Sequence, residues 1–346
     1  MTPQHLDTVA AFVDGVNAAM GNPQRLPHPN SDIFLDRPLS TFAEYCGQKA
    51  LAERNDRTAR PRQAVLGAGI ATGDFQNTLS AGAKKYAVTR YQHFAEHLSI
   101  TADQPVKIIG NVEFPNGDID IELAESGEGA EVKAVRAGDV AGQTASLKFY
   151  QRSLTVSRPV VINDDVGMLK HFFGALGSGA SKKEGQLVAA VLEENPTLGD
   201  GAPMYGTDNS VAEALSASSL DSAARQLRLQ VTAAGNLANL KLARLVVAAG
   251  LEVAARKILR DSGLENEVKV VCLPWLPAGR WFGLADPAVS PTIGRLVLAG
   301  GGGSAPIDIG PVSNKTTTAF DGLVLKGTAI LGAVALGRVG IVKGGA

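Results

Sequence analysis

The stretch SRPVVINDDVGMLKHFFGALGSGASKKEGQLVAAVLEENP, residues 157–196, predicts a strand that runs directly into one long helix. We predict that the strand ends at Asn163 and that Asn163 caps the helix, because its side chain can accept a hydrogen bond from an unpaired backbone N–H group. Asp164 and Asp165 follow in the first turn, where the positive end of the helix dipole favours carboxylates. These three residues are therefore expected to act as the structural cap of the helix.

The interior of this predicted helix has one apolar face. Apolar residues recur at steps of three and four, which is the period of such a face. They are Leu169, Phe172, Phe173, Leu176, Ala180, Leu187, Val188, Val191 and Leu192. The helix should end at Asn195, because Pro196 cannot continue the backbone hydrogen bonds. Roughly thirty residues give a length of about 45 Å. Each interior glycine costs about 1 kcal/mol relative to alanine, so we expect packing across a sheet to stabilise the helix.

Composition restricts the classes of function. The 346 residues include 34 acidic and 33 basic side chains, a formal charge of −1. A near-neutral chain argues against a dedicated nucleic-acid or membrane-surface binder. Cys46 and Cys272 are far apart and lack metal-ligand spacing, which indicates two buried or inert thiols in a reducing compartment. The N-terminus lacks the pattern of a secretory signal, and the apolar run between Lys326 and Arg338 is too short to span a bilayer. A soluble protein made inside the cell is expected.

Residues 1–75 differ from the remainder of the chain. Short helices are predicted over Leu6–Met20 and Leu39–Arg54, and a longer one follows over Asp74–Leu98. Eight basic and three acidic residues lie between Lys49 and Arg90. This composition is typical either of a solvated, partly flexible leader or of an arm that lies against an acidic surface. The cations expected at such an interface are Arg54, Arg57, Arg60 and Arg62.

Residues 106–156 change to a period of two, which indicates strands. Apolar and acidic side chains alternate from Asp118 to Leu123, and a second strand is predicted over residues 146–158. The two strands and the long tip between them form a predicted hairpin. Eight acidic and two basic residues between Glu113 and Gly142 give it a charge opposite to that of the arm. The carboxylates expected at an interface are Glu122, Glu125, Glu128 and Glu131. A hairpin with little core of its own should rest on a partner.

Residues 199–312 read as a compact α+β domain. Ser218 and Asp221 resemble a capping box at the start of a helix. A buried strand is predicted in LARLVVAAG, and an amphipathic helix that Gly263 closes follows it. Further strands are predicted in VKVVCLPWL, RWFGLADP and RLVLAGG, and the tail, residues 313–346, is β-like.

No constellation for catalysis, cofactor binding or metal binding emerges. Gly300 to Gly303 follow a predicted strand, but the P-loop Gly-Lys-Ser/Thr pattern is missing. His93 and His97 have the helical i, i+4 spacing, yet no third ligand is indicated, so a solvated helix face is the preferred interpretation. The pair Asp164 and Asp165 is explained by its place at a helix N-terminus. We therefore predict no catalytic residue, no cofactor and no metal.

Several of these segments carry a family resemblance. The run SRPVVINDDVG, the long helix and the exit LVAAVLEENPTLGDGAPMYGTDN resemble the major capsid (major head subunit) proteins of Mu-like tailed bacteriophages. DFQNTLSAGAKKYAVTRYQ and the segment from Arg244 to Leu259 are also similar to that family. PLSTFAEYCGQKAL resembles the region that joins a maturation protease to the capsid protein in some relatives. Tyr205-Gly206 departs from the Leu-Phe that the family often has.

The resemblance implies an α+β chain with the Hong Kong 97-type capsid fold. The expected divisions are an N-terminal arm (1–75), a P-domain helix (76–105), an E-loop hairpin (106–156), a P-domain spine helix (157–198), an A-domain (199–312) and a P-domain return strand (313–346).

The resemblance also implies a function. The chain is expected to be a major capsid protein that self-assembles into hexamers and pentamers of an icosahedral head around double-stranded DNA, without enzymatic activity. Expected partners are the chain itself, the portal, scaffold, protease and decoration proteins, and DNA bound without sequence preference, but no membrane. The expected location is the virion, after assembly in the bacterial cytoplasm. Two alternatives are an encapsulin-like compartment shell and a soluble α/β enzyme that binds a phosphorylated ligand near Gly300.

Overall fold

A computed structural model describes most of the chain. The described residues are 10–12, 14–15, 28, 38–53, 62–70, 72–114, 143–157, 159, 163, 166–232, 235–299, 306–312 and 322–345. The chain folds as two compact units. Unit 1 comprises Met1–Phe94, Phe149–Ser181 and Ala305–Ile330, and unit 2 comprises Ala95–Lys148, Lys182–Ser304 and Leu331–Ala346.

Helices occur in both units. They are α1 (Pro38–Glu53), α2 (Arg62–Ile70), α3 (Gly73–His93), α4 (Val166–Glu194), α5 (Ala217–Leu229) and α6 (Glu252–Asp261). The strands are β1 (Ala102–Val106), β2 (Asn111–Phe114), β3 (Gln143–Ser146), β4 (Lys148–Ser157), β5 (Ser210–Val211), β6 (Arg244–Val247), β7 (Lys269–Cys272), β8 (Trp281–Leu284), β9 (Ile293–Leu298), β10 (Ile307–Pro311), β11 (Gly322–Leu331), β12 (Ala333–Ala335) and β13 (Ile341–Gly344).

Unit 1 combines α1, α2, α3 and the first part of α4 with a sheet of order β10-β11-β4. Glycines allow its elements to approach closely. A methyl group at Gly177 of α4 would collide with the carbonyl of Ala87 in α3. A methyl group at Gly327 of β11 would lie 2.9 Å from a side-chain carbon of Leu176 in α4. The predicted close approach of another backbone to the glycine-containing helix is therefore found at Gly177.

Unit 2 is built around a five-stranded sheet of order β5-β13-β8-β6-β7. Alternate residues of the strands face opposite sides, because side chains alternate along a strand. Trp281 and its neighbours pack with Leu227 of α5 and Leu259 of α6 on one face. Phe282 and its neighbours pack with Leu192 of α4 on the other face. A second sheet of order β1-β9-β12 and the hairpin β2-β3 complete the unit.

The predicted long helix is α4, with 29 residues. It ends as predicted, since Asn195 adopts the left-handed conformation with φ 49° and precedes Pro196. The Asn195 side chain then fixes the next loop, because its Oδ1 accepts a hydrogen bond from the Tyr205 N–H group at 2.7 Å.

The predicted end point of the strand before α4 is wrong. Strand β4 stops at Ser157, and Pro159 and Asn163 have helical conformation. The residue at 159 is a proline, which has no N–H group to donate to a sheet. The strand therefore does not reach Asn163.

The start of α5 also differs from its prediction. The cap is formed by Ser216 and Ser219, not by Ser218 and Asp221. Ser216 has an extended backbone, and its Oγ accepts from the Ser219 N–H group at 3.2 Å. The Ser219 hydroxyl accepts in return from the Ser216 N–H group at 2.8 Å. By contrast, α1, β6 and α6 agree with the prediction, and Gly263 follows α6 with φ +70°.

Candidate assembly surfaces

The base of the predicted hairpin belongs to unit 2. Strand β2 pairs antiparallel with β3, with Asn111 opposite Ser146 and Phe114 opposite Gln143. The Gln143 side chain also donates from Nε2 to the Thr197 carbonyl at 2.9 Å. The return strand predicted over residues 146–158 is wrong in its pairing, because β4 joins β11 in a different sheet. The four interface carboxylates, Glu122, Glu125, Glu128 and Glu131, lie outside the described residues.

Of the four cations predicted at the interface of the N-terminal arm, the structure describes only one. Arg54, Arg57 and Arg60 lie outside the described residues, and the backbone of Arg62 begins α2. Two other cations of the same stretch form ion pairs within unit 1. The ammonium of Lys49 lies 2.9 Å from the carboxylate of Asp74, and that of Lys84 lies 2.9 Å from that of Asp308. Lys85 and Arg90 are exposed, so they contribute positive charge to the surface of unit 1. The Arg90 guanidinium also lies over the Tyr86 ring.

The predicted cap of α4 is described at one position. Asn163 is helical and exposed, and α4 itself begins three residues later, at Val166. Asp164 and Asp165 lie outside the described residues. The capping role of these three residues therefore stays a prediction.

Unit 2 contains a buried ionic network that the sequence analysis missed. Arg295 of β9 donates from Nε to Glu184 Oε1 of α4 at 3.0 Å. His97 donates from Nε2 to the other oxygen, Oε2, at 2.9 Å. The side chains of Glu184, Arg295 and His97 are at most 2% exposed. Arg295 also pairs with the half-exposed Asp103 of β1 at 3.2 Å. The network links a helix, a sheet and the turn between α3 and β1.

The interpretation of His97 as a solvated helix residue is wrong. Helix α3 ends at His93, and His97 lies in a separate 3-10 turn, Glu96–Ser99, so the helical spacing does not apply to the pair. The sequence does contain one indication of this network, in the position of Glu184 along the helix. This residue lies four positions from Ala180 and from Val188, both on the apolar face of α4, so it should point inward. An inward carboxylate requires a buried cation or donors.

The two thiols lie in surroundings that keep them protonated. Burial raises the pKa of the Cys46 thiol from 9.0 to about 11, against a smaller opposing effect of a hydrogen bond with Thr72. Partial burial, and then the charge of Glu252, raise the pKa of the Cys272 thiol. Because the thiolate is the reactive form of cysteine, these raised pKa values agree with the expectation of two unreactive thiols.

Tyr205, which departs from the family pattern, is buried with its hydroxyl. Burial raises the pKa of this phenol well above its ordinary value. The hydroxyl has no hydrogen-bond partner among the described residues. The Tyr205 ring packs near Phe282, and the Lys343 ammonium lies 5.2 Å from the centre of the ring. The ring is thus well packed, whereas burial of the hydroxyl without a hydrogen bond does not stabilise the fold.

An open groove of about 600 Å³ lies beside α5 in unit 2. Its lining includes Asp208, Arg225, Leu229, Val231 and Arg338. Arg338 pairs with Asp200. The side chains of Leu229 and Val231 are 55% and 56% exposed, and the neighbouring Leu237 is 63% exposed. An exposed apolar cluster beside a groove is typical of a protein-protein contact.

The described part of the chain offers neither a metal site nor a membrane-spanning helix. No group of three or more His, Cys, Asp or Glu side chains there is arranged to hold a metal ion. None of the described helices has the length and apolar character needed to cross a bilayer. Gly300 to Gly303, the region of the proposed phosphorylated ligand, lie outside the described residues.

Comparison with known families assigns the class of protein. Residues 141–344, more than half of the chain, match the family described as "Phage capsid protein". The chain therefore belongs to the phage capsid protein family. The match and the mixed helices and sheets confirm the predicted α+β capsid fold of the Hong Kong 97 type. No curated protein sequence matches the chain significantly.

Solved structures show low similarity. The capsid of cyanophage P-SCSP1u is 10% identical, with 72% of this chain and 86% of that chain covered and a TM-score of 0.47. The holo-SrpI encapsulin complex from Synechococcus elongatus PCC 7942 is 9% identical, with 86% and 94% covered and a TM-score of 0.47. The structure of Mycobacterium phage Bobi is 14% identical, with 72% and 89% covered and a TM-score of 0.43. TM-scores below 0.5 add nothing to the family assignment.

Proposed function

We propose that the chain is the major capsid protein of a Mu-like tailed phage. In this proposal, copies assemble into hexamers and pentamers of an icosahedral head that encloses double-stranded DNA. Membership of the phage capsid protein family over residues 141–344 is the observation that carries the proposal. The Mu-like character rests on the resemblance of SRPVVINDDVG and of the exit from the long helix.

The proposal divides the chain by role. Residues 1–75 form the N-terminal arm, 76–105 the P-domain helix and 106–156 the E-loop hairpin. Residues 157–198 form the P-domain spine helix, 199–312 the A-domain and 313–346 the return strand of the P-domain. The role of the chain is structural and not enzymatic. It is a component of the virion, assembled in the bacterial cytoplasm.

The arm and the hairpin are proposed to exchange between neighbouring copies. Between Glu113 and Gly142 acidic residues outnumber basic ones by eight to two, and in the last part of the arm, from Lys49 to Asp74, basic residues outnumber acidic ones by five to three. These opposite charges favour one register of the two segments. Exposed ion pairs are worth only about 0–1 kcal/mol each, so burial of apolar surface must supply most of the cohesion.

Other partners follow from the same proposal. A portal occupies one vertex, and scaffold, protease and decoration proteins act during or after assembly. DNA is held on the inner face without sequence preference, because phosphate contacts carry no sequence information.

Expression of the chain, alone and with its scaffold, tests the proposal. Closed shells are expected in negative-stain electron micrographs. A monodisperse monomer under all assembly conditions would contradict the proposal. Shells that hold cargo enzymes and no DNA would instead favour the encapsulin-like alternative.

A further inference from the structure

A basic and apolar surface lies at the end of α5. We define the α5 patch as Arg225, Arg228, Leu229, Val231 and Leu237. Its three aliphatic side chains are each more than half exposed. Residues 221–243 contain three basic side chains and one carboxylate, that of Asp221. The patch therefore combines apolar area with positive charge.

The α5 patch is held in place by backbone hydrogen bonds. Val231 and Leu237 form an antiparallel bridge. The Ala238 N–H group donates to the Gln230 carbonyl at 2.8 Å, and the Thr232 N–H group donates to the Asn236 carbonyl at 2.8 Å. A surface that is ordered before binding loses little conformational entropy when a partner covers it.

Arg225 is the cation of the α5 patch that is available to a partner. It is exposed and makes no ion pair with any described residue. Arg228 instead donates to the Asn239 side chain at 2.9 Å. A carboxylate from outside the chain would complement the charge of Arg225.

An acidic segment lies elsewhere on the same unit. We define the acidic loop as residues 261–267, from the last residue of α6 onward, which contain Asp261, Glu265 and Glu267. Arg260 and Lys269 flank the acidic loop and line a groove together with Glu265. All three acidic side chains are exposed. None of them makes an ion pair within the described part of the chain. The acidic loop thus has the charge that the α5 patch lacks.

The α5 patch and the acidic loop lie at the same end of the five-stranded sheet. The acidic loop leads into Lys269, the first residue of β7, which lies opposite Arg244, the first residue of β6. Arg244 lies opposite Leu284, which in turn lies opposite Ile341, the first residue of β13. Gln230 ties the α5 patch to this position, because its Nε2 donates to the Ile341 carbonyl at 2.9 Å.

The α5 patch and the acidic loop of one copy are too far apart along that end of the sheet to contact each other unless the chain rearranges. Strands β8 and β6 lie between β13 and β7. Three strand spacings correspond to about 14 Å. Two different, complementary surfaces displaced across one subunit create a head-to-tail contact between copies, and such contacts give a ring when the rotation closes.

We propose that the α5 patch of one copy binds the acidic loop of the next copy around a ring. Arg225 faces the carboxylates of the loop, and the three aliphatic side chains are covered by the neighbour. This inference rests on the proposed capsid function and assigns the contact that builds a hexamer or pentamer. A contact that depends on exposed charges weakens as salt rises.

Charge reversal of single residues is the first test. Arg225→Glu and Glu265→Lys each place like charges across the contact and should reduce ring formation about tenfold. Native mass spectrometry of rings at low salt is the readout. Both residues are exposed, so each variant should keep the wild-type unfolding midpoint. The matched control for Arg225→Glu is Lys107→Glu, which makes the same change of charge at an exposed position just after β1 and should leave ring formation intact.

Mixing the two variants shows whether the contact joins different copies. In an alternating ring, the new carboxylate at position 225 of one variant would face the new ammonium at position 265 of the other, and every remaining contact is wild type. Rings with even numbers of subunits should therefore return on mixing. The double variant Arg225→Glu/Glu265→Lys should restore odd-numbered rings as well. Rescue by the double variant without rescue by mixing would place the contact within one chain and overturn the proposal.

The apolar part of the contact has its own test. Leu237→Ser should reduce ring formation, because the neighbour covers this side chain only in the ring. Val253→Ser is the control, since Val253 is 82% exposed on α6 outside the α5 patch.

The outcomes separate this inference from the proposed function. Normal rings and shells from the Arg225, Glu265 and Leu237 variants would overturn the inference alone. Rings without shells from the wild-type chain, together with loss of those rings in the three variants, would support the inference and contradict the proposed function. A wild-type chain that forms neither would contradict both.

Discussion

Glu184 and Arg295 form a buried ion pair within unit 2, with 3.0 Å between Arg295 Nε and Glu184 Oε1. His97 occupies the second oxygen of the same carboxylate. Removal of one member of a buried pair leaves the other charge desolvated, which usually costs about 3–5 kcal/mol. Glu184→Gln should therefore lower the free energy of unfolding by about that amount, as measured by urea denaturation.

Asp103→Asn is the matched control for this prediction. Asp103 also pairs with Arg295, but its side chain is 56% exposed. Its loss should cost about 1 kcal/mol or less. Equal effects of the two substitutions would contradict the central role of Glu184.

Two glycines of α4 are predicted to respond to alanine with opposite signs. At Gly177 the added methyl group meets the Ala87 carbonyl of α3, and overpacking of this kind costs about 1–3 kcal/mol. At Gly179 the added methyl group meets no atom within 4 Å. Gly179→Ala should gain about 1 kcal/mol from helix propensity alone. Thermal unfolding of both variants is the measurement, and stabilisation by Gly177→Ala would contradict the close approach of α3 and α4.

Tyr205→Phe should leave stability unchanged or raise it slightly. The substitution removes a buried hydroxyl that has no partner among the described residues and keeps the packed ring. Replacement of an unsatisfied polar group by an apolar one of the same shape is nearly neutral or stabilising. A loss of more than about 1.5 kcal/mol in urea denaturation would show that the hydroxyl makes a hydrogen bond worth keeping.

Cys46 should make stability sensitive to alkaline pH. The thiol is neutral in both states below pH 9, its ordinary pKa, whereas burial raises the folded pKa to about 11. Between these values the unfolded thiol ionises first, so its contribution to stability is complete below pH 9 and is lost as the pH rises towards 11. The difference in unfolding free energy between the wild-type chain and Cys46→Ala should therefore change over this range. A pH-independent difference would contradict the burial of the thiol.

The acidic hairpin provides a prediction about assembly. Glu125→Lys, Glu128→Lys and Glu131→Lys together reverse its charge and should impair shell formation, because the basic arm of a neighbour would then face like charges. The folded monomer should keep its circular dichroism spectrum and unfolding midpoint. A wild-type yield of shells from the triple variant would remove electrostatics from the proposed exchange of arm and hairpin.

The sequence predicted elements well where one local signal decided them. The apolar period of α4 and its stop before Pro196 gave the long helix, and Gly263 marked the end of α6. Local signals failed where two interpretations competed. Several serines precede α5, and only the backbone conformation at Ser216 determines which one caps it.

Long-range pairing was the other limit. The period of two in residues 146–158 indicates extended backbone but not its partner, so the division between β3 and β4 could not be predicted. The same holds for Glu184, whose inward position follows from helical spacing, whereas Arg295 lies 111 positions away in the sequence. The α5 patch was missed because the exposure of Leu229 depends on which face of α5 the sheet covers, and that of Leu237 depends on its bridge with Val231 after the helix.

A cryo-electron microscopy reconstruction of the purified assembly product tests the central claim most directly. The expected result is a closed icosahedral lattice in which copies of the chain form hexamers and pentamers. A discrete monomer, or a small oligomer that never closes into a lattice, would contradict it.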